Sequence, residues 1–320
     1  MPKALLWRKT AGKLVVAFVS RKLFTVALYA SVVIRYHHIS FNNIRLNFNM
    51  NDDLNTTEKT QESHVILQPM SLGISLLFFG VPALVFVVGF HIVMPALIKG
   101  GFLPFYAYFV GLGIPLALMV VASLVAYRKE GNLMEWDAFK KRFRLHRLSL
   151  KMWILTLGAF IATFIVYGIF MQINVTLLNT GIIPLPASLP VWLDTTSGMP
   201  SISAMDQAFG GLSGNWLALI SFFVFLCFNV IGEEFWWRGY ILPRQELAFG
   251  KWVWVIHGLL WALFHVFKWW DILGILPLTL ILPFLVWKFK NNTIGIVLHF
   301  LINGIGLIAI LIGVLGVANK

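Results

Sequence analysis

Cysteine is almost missing from this chain: Cys227 is the only one in 320 residues. That excludes a disulfide framework and any multi-cysteine zinc site within one chain. Charge is scarce as well, at 12% of residues against 59% hydrophobic, where a soluble domain carries about 25% charged residues. Acidic side chains are absent from residues 1–49, and Lys and Arg are absent from residues 172–212. No His-Glu-x-x-His helix motif, nucleic-acid motif, internal repeat or low-complexity segment occurs. With a mean hydropathy of +0.82, the composition is that of a polytopic membrane protein of the all-α class. The 28 Phe and 13 Trp suit large lipid-facing and interfacial surfaces.

The net charge of +12 is concentrated at the start. Lys3, Arg8, Lys9, Lys13, Arg21, Lys22, Arg35 and Arg45 fall in residues 1–49; without those eight, 17 basic residues face 13 acidic ones. Nucleic acid is therefore not an expected partner. Arg21 and Lys22 interrupt the apolar run 15–33, and positive charge on both sides of it gives no orientation. Residues 1–69 are expected to be a basic tail or interfacial segment with a polar lead-in. The acid-free leader also resembles an organelle transit peptide, and Met50 is an alternative start.

A helical bundle is expected over residues 70–320, with spans at 72–97, 102–127, 152–171, 216–242, 252–270, 272–289 and 293–317. Each is long enough to cross about 30 Å of hydrocarbon. The count is seven, or eight if residues 1–49 contribute a span. The loop 128–151 holds eight Lys and Arg residues and is expected on the cytoplasmic side, opposite the 172–212 loop. Within it, residues 136–145 read either as a basic amphipathic helix on the membrane surface or as a plain positive-inside loop.

The chemistry gathers in Ile231-Gly-Glu-Glu-Phe-Trp-Trp-Arg-Gly-Tyr240. A single charge at the centre of a spanning helix costs roughly 2.5–3.5 kcal/mol, so three so close together imply pairing and use. Glu234 and Arg238 stand four apart in the favourable order for a helical ion pair. Glu233 lies about 100° further round the helix and stays free to handle a proton. Later spans add His265 in Leu259-Leu-Trp-Ala-Leu-Phe-His265, and His299 with Asn303 in His299-Phe-Leu-Ile-Asn303. Counted from the cytoplasmic helix ends, Glu233, His265 and His299 lie at depths of roughly 15, 20 and 12 Å. Modest tilts would bring them into one layer opening toward the cytoplasm. A carboxylate, two imidazoles and an amide at one depth suggest hydrolysis. Glu233 would take the proton of a water held jointly with His265, and His299 and Asn303 would donate to the oxyanion. Glu234 and Arg238 would keep the motif in shape.

Glu233-Glu234-x-x-x-Arg238-Gly239, Trp261-x-x-x-His265 and His299-x-x-x-Asn303 together resemble the CAAX protease and bacteriocin-processing family, also called Abi. The resemblance covers roughly residues 142–303. It implies an intramembrane glutamate-dependent endopeptidase acting near the cytoplasmic face, with Glu233, Glu234, Arg238, His265, His299 and Asn303 at its motif positions. One departure is Trp261, where the family carries Phe. The implied partners are the lipid bilayer and a membrane-tethered peptide or protein, prenylated substrates included. The plasma membrane is expected for a bacterial source, with the endoplasmic reticulum membrane as the alternative.

Three other readings compete. Glu233, His265 and His299 would make a His₂Glu zinc site; the metal-free version, with no cofactor, is the expectation. Gly211-Leu-Ser213-Gly214 resembles the Gly-x-Ser-Gly of rhomboid serine proteases, although Ser213 near a helix start reads equally as an N-cap. Buried Glu, His and Asn also fit a transporter pathway or a non-enzymatic immunity or scaffolding protein.

Overall fold

The computed structural model describes residues 66–186, 189–196 and 201–317, and all regular structure among them is helical. The sequence readings for residues 1–49, the tail and the alternative start, lie outside the described residues. Five stretches are long and apolar enough to cross a membrane: α1 (Leu72–Lys99), α2 (Pro104–Lys129), α4 (Leu150–Asn179), the 74-residue stretch Trp216–Phe289, and Asn292–Val314. Short helices α3 (Trp136–Arg142) and α5 (Ile202–Phe209) lie in the connecting loops.

Local chemistry starts these helices where expected. Ser71 and Ser149 cap α1 and α4 by accepting the Ile74 and Met152 amides, and Pro104 occupies the first turn of α2. α4 is the least buried of the five: 11% of its most apolar 18 residues are buried, against 44% for Trp216–Phe289. The latter stretch is the centre of the bundle.

Seventy-four helical residues in a straight rod would reach about 110 Å, so this stretch must double back. It comprises α6 (Trp216–Glu233), a π-helical segment Glu234–Ile241, α7 (Leu242–Phe249), α8 (Val253–Phe264), a 3₁₀ segment His265–Asp271, and α9 (Ile272–Phe289). The Trp261 indole reaches back to Glu233, and Trp254 meets Phe284 edge-on with ring centres 5.3 Å apart. The three expected spans 216–242, 252–270 and 272–289 all fall in this folded stretch. The middle one is not a continuous α-helix, because the backbone leaves helical geometry at Lys268 (φ −127°, ψ 57°). The last expected span is likewise divided at Gly304 into α10 (Asn292–Asn303) and α11 (Ile305–Val314).

Two glycines set the approach of neighbouring elements to the π segment. A Cβ on Gly232 would lie 2.6 Å from the Leu116 carbonyl oxygen of α2, and one on Gly239 would lie 2.3 Å from the Phe143 ring. Through the second gap the basic loop packs against the end of the bundle. Phe143 is fully buried, stacked on Phe139 at 4.5 Å and tilted against Phe235 at 5.2 Å. Arg142 pairs with Glu130 and donates to the Gly239 carbonyl at 2.7 Å. The loop thus holds a helix over Trp136–Arg142, shorter than the expected 136–145. Its helix stops at Arg142, because the next turn buries Phe143 and bends through Arg144 at positive φ.

At the other end of the bundle, Phe105, Phe209, Leu212, Ala218, Ile310 and Val314 form a buried apolar cluster joining α2, α5, α6 and α11. Asn215, not Ser213, caps α6, accepting the Ala218 amide at 3.1 Å. Ser213 is exposed beside Gly316. It stands at the far end of α11 from His299, roughly 25 Å along the helical path at 1.5 Å per residue. A Ser213–His299 dyad is not assembled.

Candidate active site

α6 delivers Glu233 as its last residue, and the π segment begins at Glu234. Wider π turns occur disproportionately at functional sites; here one separates the duties of two adjacent carboxylates. Glu234 is fully buried and accepts two hydrogen bonds from Arg238, one of them Nε to Oε2 at 2.7 Å. Its Oε1 also bonds His299 Nδ1 at 2.8 Å. Its own carbonyl accepts from Asn292 Nδ2 at 3.0 Å. Every part of Glu234 is therefore committed.

Glu233 keeps different company. Oε1 accepts from Asn229 Nδ2 at 2.8 Å and Oε2 from Trp261 Nε1 at 2.6 Å. Each carboxylate oxygen offers two lone pairs, so capacity remains for a further donor such as water. Glu233 lines a cavity of about 270 Å³, together with His265, His299, Asn229 and Asn303. Glu234 and Arg238 lie behind this wall and do not line it.

The 3₁₀ turn that follows α8 places His265. Its Nδ1 bonds the Trp261 carbonyl at 2.8 Å; a carbonyl accepts only, so Nδ1 carries the proton and Nε2 is the acceptor nitrogen. His299 and Asn303 lie one turn apart on α10. Asn303 Nδ2 donates to Asn229 Oδ1 at 2.7 Å and meets His299 Nε2 at 3.0 Å. These contacts close a circuit: Glu234 to His299, Asn303, Asn229, Glu233 and Trp261, then back through Arg238, whose guanidinium carbon lies 3.8 Å from the centre of the Trp261 ring.

The six positions taken from the sequence thus gather in one place, with two qualifications. The His299 ring spends both nitrogens within the circuit, and both Asn303 amide hydrogens are also used there. Neither is a spare donor in this arrangement. The cavity lining also extends away from the basic loop. From Glu233 its lining continues through Tyr108 and Phe225 to Phe105, Trp192 and Phe222 at the opposite end, and it includes no residue of 130–149. Depth counting places side chains along their helices but does not reveal what fills the space beyond them; here Phe143 and Arg142 do.

Three participants escaped the sequence reading. Asn229 stands four residues before Glu233, one turn away on the same face, a spacing that could have revealed it. Trp261 was visible only as an aromatic substitution, its hydrogen bond being a tertiary fact. Lys268 lines the cavity three residues after His265 and is 3.6 Å from Asp271. Among the described residues, no three His, Cys, Asp or Glu side chains are grouped to hold a metal ion, and the His299 nitrogens face Glu234 and Asn303.

Residues 215–305 match the family described as type II CAAX prenyl endopeptidase Rce1-like. That region contains all three motifs and the whole circuit. It supports the CAAX protease family read from the motifs and, with it, a CAAX-type intramembrane protease and hydrolase. No curated protein and no solved structure matches the chain.

Proposed function

We propose that this chain, a protein with a CAAX protease region at residues 215–305, hydrolyses peptide bonds within the membrane through a water deprotonated by Glu233. The observation that carries the reading is the unequal treatment of the two carboxylates. Glu234 is spent on Arg238, His299 and the π turn, whereas Glu233 faces the cavity beside His265.

In the proposed step, water donates one hydrogen to Glu233 and the other to His265 Nε2. As the scissile carbonyl is attacked, the first proton passes to Glu233 and the new C–O bond forms. Negative charge grows on the carbonyl oxygen. Asn303 meets it by exchanging one of its two acceptors, Asn229 Oδ1 or His299 Nε2, for the oxyanion, and His299 steadies that amide. When the C–N bond breaks, Glu233 passes its proton to the departing amine. Glu234 and Arg238 hold the π turn throughout. No metal is needed in this sequence.

The substrate is a membrane-tethered peptide or protein, prenylated substrates included. Its scissile bond would sit in the bilayer half nearer the basic loop, since Glu233 ends α6 only eight residues before Ile241. The test is cleavage of a panel of membrane-tethered peptides by purified protein in detergent. Loss of cleavage in Glu233→Ala supports the reading. Cleavage that survives this substitution removes Glu233 from the mechanism, and substrate-coupled proton movement without cleavage favours a transporter.

A further inference from the structure

Trp261 is 1% exposed and sits where both carboxylates can be reached through one side chain. Its indole N–H donates to Glu233 Oε2 at 2.6 Å. Its ring face carries the Arg238 guanidinium at 3.8 Å, and Arg238 holds Glu234. Its backbone carbonyl accepts from His265 Nδ1. Its ring also stands edge-on to the rings of His265 and His299, each at 5.7 Å. A phenylalanine here would retain the stack on Arg238, the carbonyl and the edge contacts. It would lose the N–H, together with the part of the indole that a single ring does not fill.

We infer that Trp261 is a positioning residue for the reaction: its indole N–H fixes the orientation of the Glu233 carboxylate, while its ring clamps the Arg238–Glu234 pair behind it. This rests on the reading of Glu233 as the general base. With Asn229 on Oε1 and Trp261 on Oε2, the carboxylate cannot turn about its terminal bond without breaking a charge-assisted hydrogen bond. The lone pairs left over are aimed in a defined direction, so a water held with His265 meets a base already in line. Preorganisation of this kind favours the transition state over the ground state, and it acts on turnover instead of substrate binding. The indole does not touch the reacting atoms and exchanges no proton with them.

The experiment compares wild type, Trp261→Phe, Glu233→Ala and the Glu233→Ala/Trp261→Phe double variant, all purified in the same detergent. Kinetics are measured on a cleaved member of the tethered-peptide panel. Trp261→Phe is expected to lower kcat about tenfold, the scale of one hydrogen bond to a charged group, with KM changed less than twofold. A second readout is the ultraviolet resonance Raman band of indole N–H. The difference spectrum between wild type and Trp261→Phe is expected to show one strongly hydrogen-bonded indole. The corresponding difference between Glu233→Ala and the double variant is expected to show that indole weakly bonded.

An unchanged kcat in Trp261→Phe, or a loss carried by KM alone, overturns the positioning role, as does a Trp261 band unmoved by Glu233→Ala. Cleavage that survives Glu233→Ala instead overturns the general-base reading, whatever the Raman band shows. Unchanged melting of Trp261→Phe separates a true loss of turnover from a loss of fold.

Discussion

His299 Nδ1 lies 2.8 Å from Glu234 Oε1, so the third motif is bound to the carboxylate that stays out of the cavity. The two glutamates should consequently fail in different ways. Glu233→Gln is expected to reduce cleavage by at least about a hundredfold with a smaller loss of melting temperature than Glu234→Gln, because it strands one neutral donor and not a guanidinium. Glu234→Gln removes the partner of a fully buried guanidinium and should cost roughly 3–5 kcal/mol of stability. Parallel thermal melting and cleavage assays in detergent distinguish the two. Equal melting losses would remove the division of labour.

Asn229 joins the two halves of the circuit by donating to Glu233 and accepting from Asn303. Asn229→Ala leaves Glu233 Oε1 and the Asn303 amide each one partner short. Turnover should fall about tenfold, in keeping with one lost hydrogen bond to a charged group. Asn229→Asp should be worse, because it sets a second carboxylate beside Glu233. Steady-state kinetics on the same peptide check both; an Asp variant as active as wild type would contradict the assignment.

Cleavage should resist a strong zinc chelator. In this arrangement the His299 nitrogens serve Glu234 and Asn303, leaving them unavailable as ligands. Chelator-sensitive cleavage that zinc restores would instead move Glu233, His265 and His299 into a metal site.

The two close glycines should respond differently to repair. In Gly239→Ala the new methyl meets the Phe143 ring, so the variant should lose roughly 1–3 kcal/mol and regain much of it when combined with Phe143→Leu. In Gly232→Ala the methyl meets the Leu116 carbonyl oxygen. No side-chain substitution at position 116 relieves a backbone clash, and Leu116→Ala should rescue nothing. Melting temperatures of the two pairs test the packing directly.

Much of the bundle was legible because a bilayer imposes simple demands on sequence. A helix that satisfies its own backbone must be apolar for about 20 residues, which marks α1, α2 and α4 and brackets the rest. Breaks inside the apolar run are harder to see. Val266 and Phe267 are as apolar as a helix requires, yet the chain turns into a 3₁₀ segment after Phe264 and kinks at Lys268. Hydropathy averages over a window and does not register a local change in hydrogen-bond pattern. The four-residue spacing of Glu234 and Arg238 suggests their pairing, but nothing in that spacing reveals the π turn that carries it.

By itself the sequence determined that this chain is a helical membrane protein, which residues carry ionisable chemistry inside it, and which family its motifs resemble. Those properties depend on residue type and on short-range spacing along a helix. Only the tertiary structure decided that His299 serves Glu234, that Asn229 and Trp261 hold Glu233, and that the cavity extends away from the basic loop. The His299 and Trp261 bonds join residues 65 and 28 positions apart, and Asn229, one turn from Glu233, is tied to Asn303 across 74. Hydrogen-bond partners at such separations follow from how helices cross and rotate against one another, and that is set by packing at positions such as Gly232 and Gly239, not by the polar residues themselves.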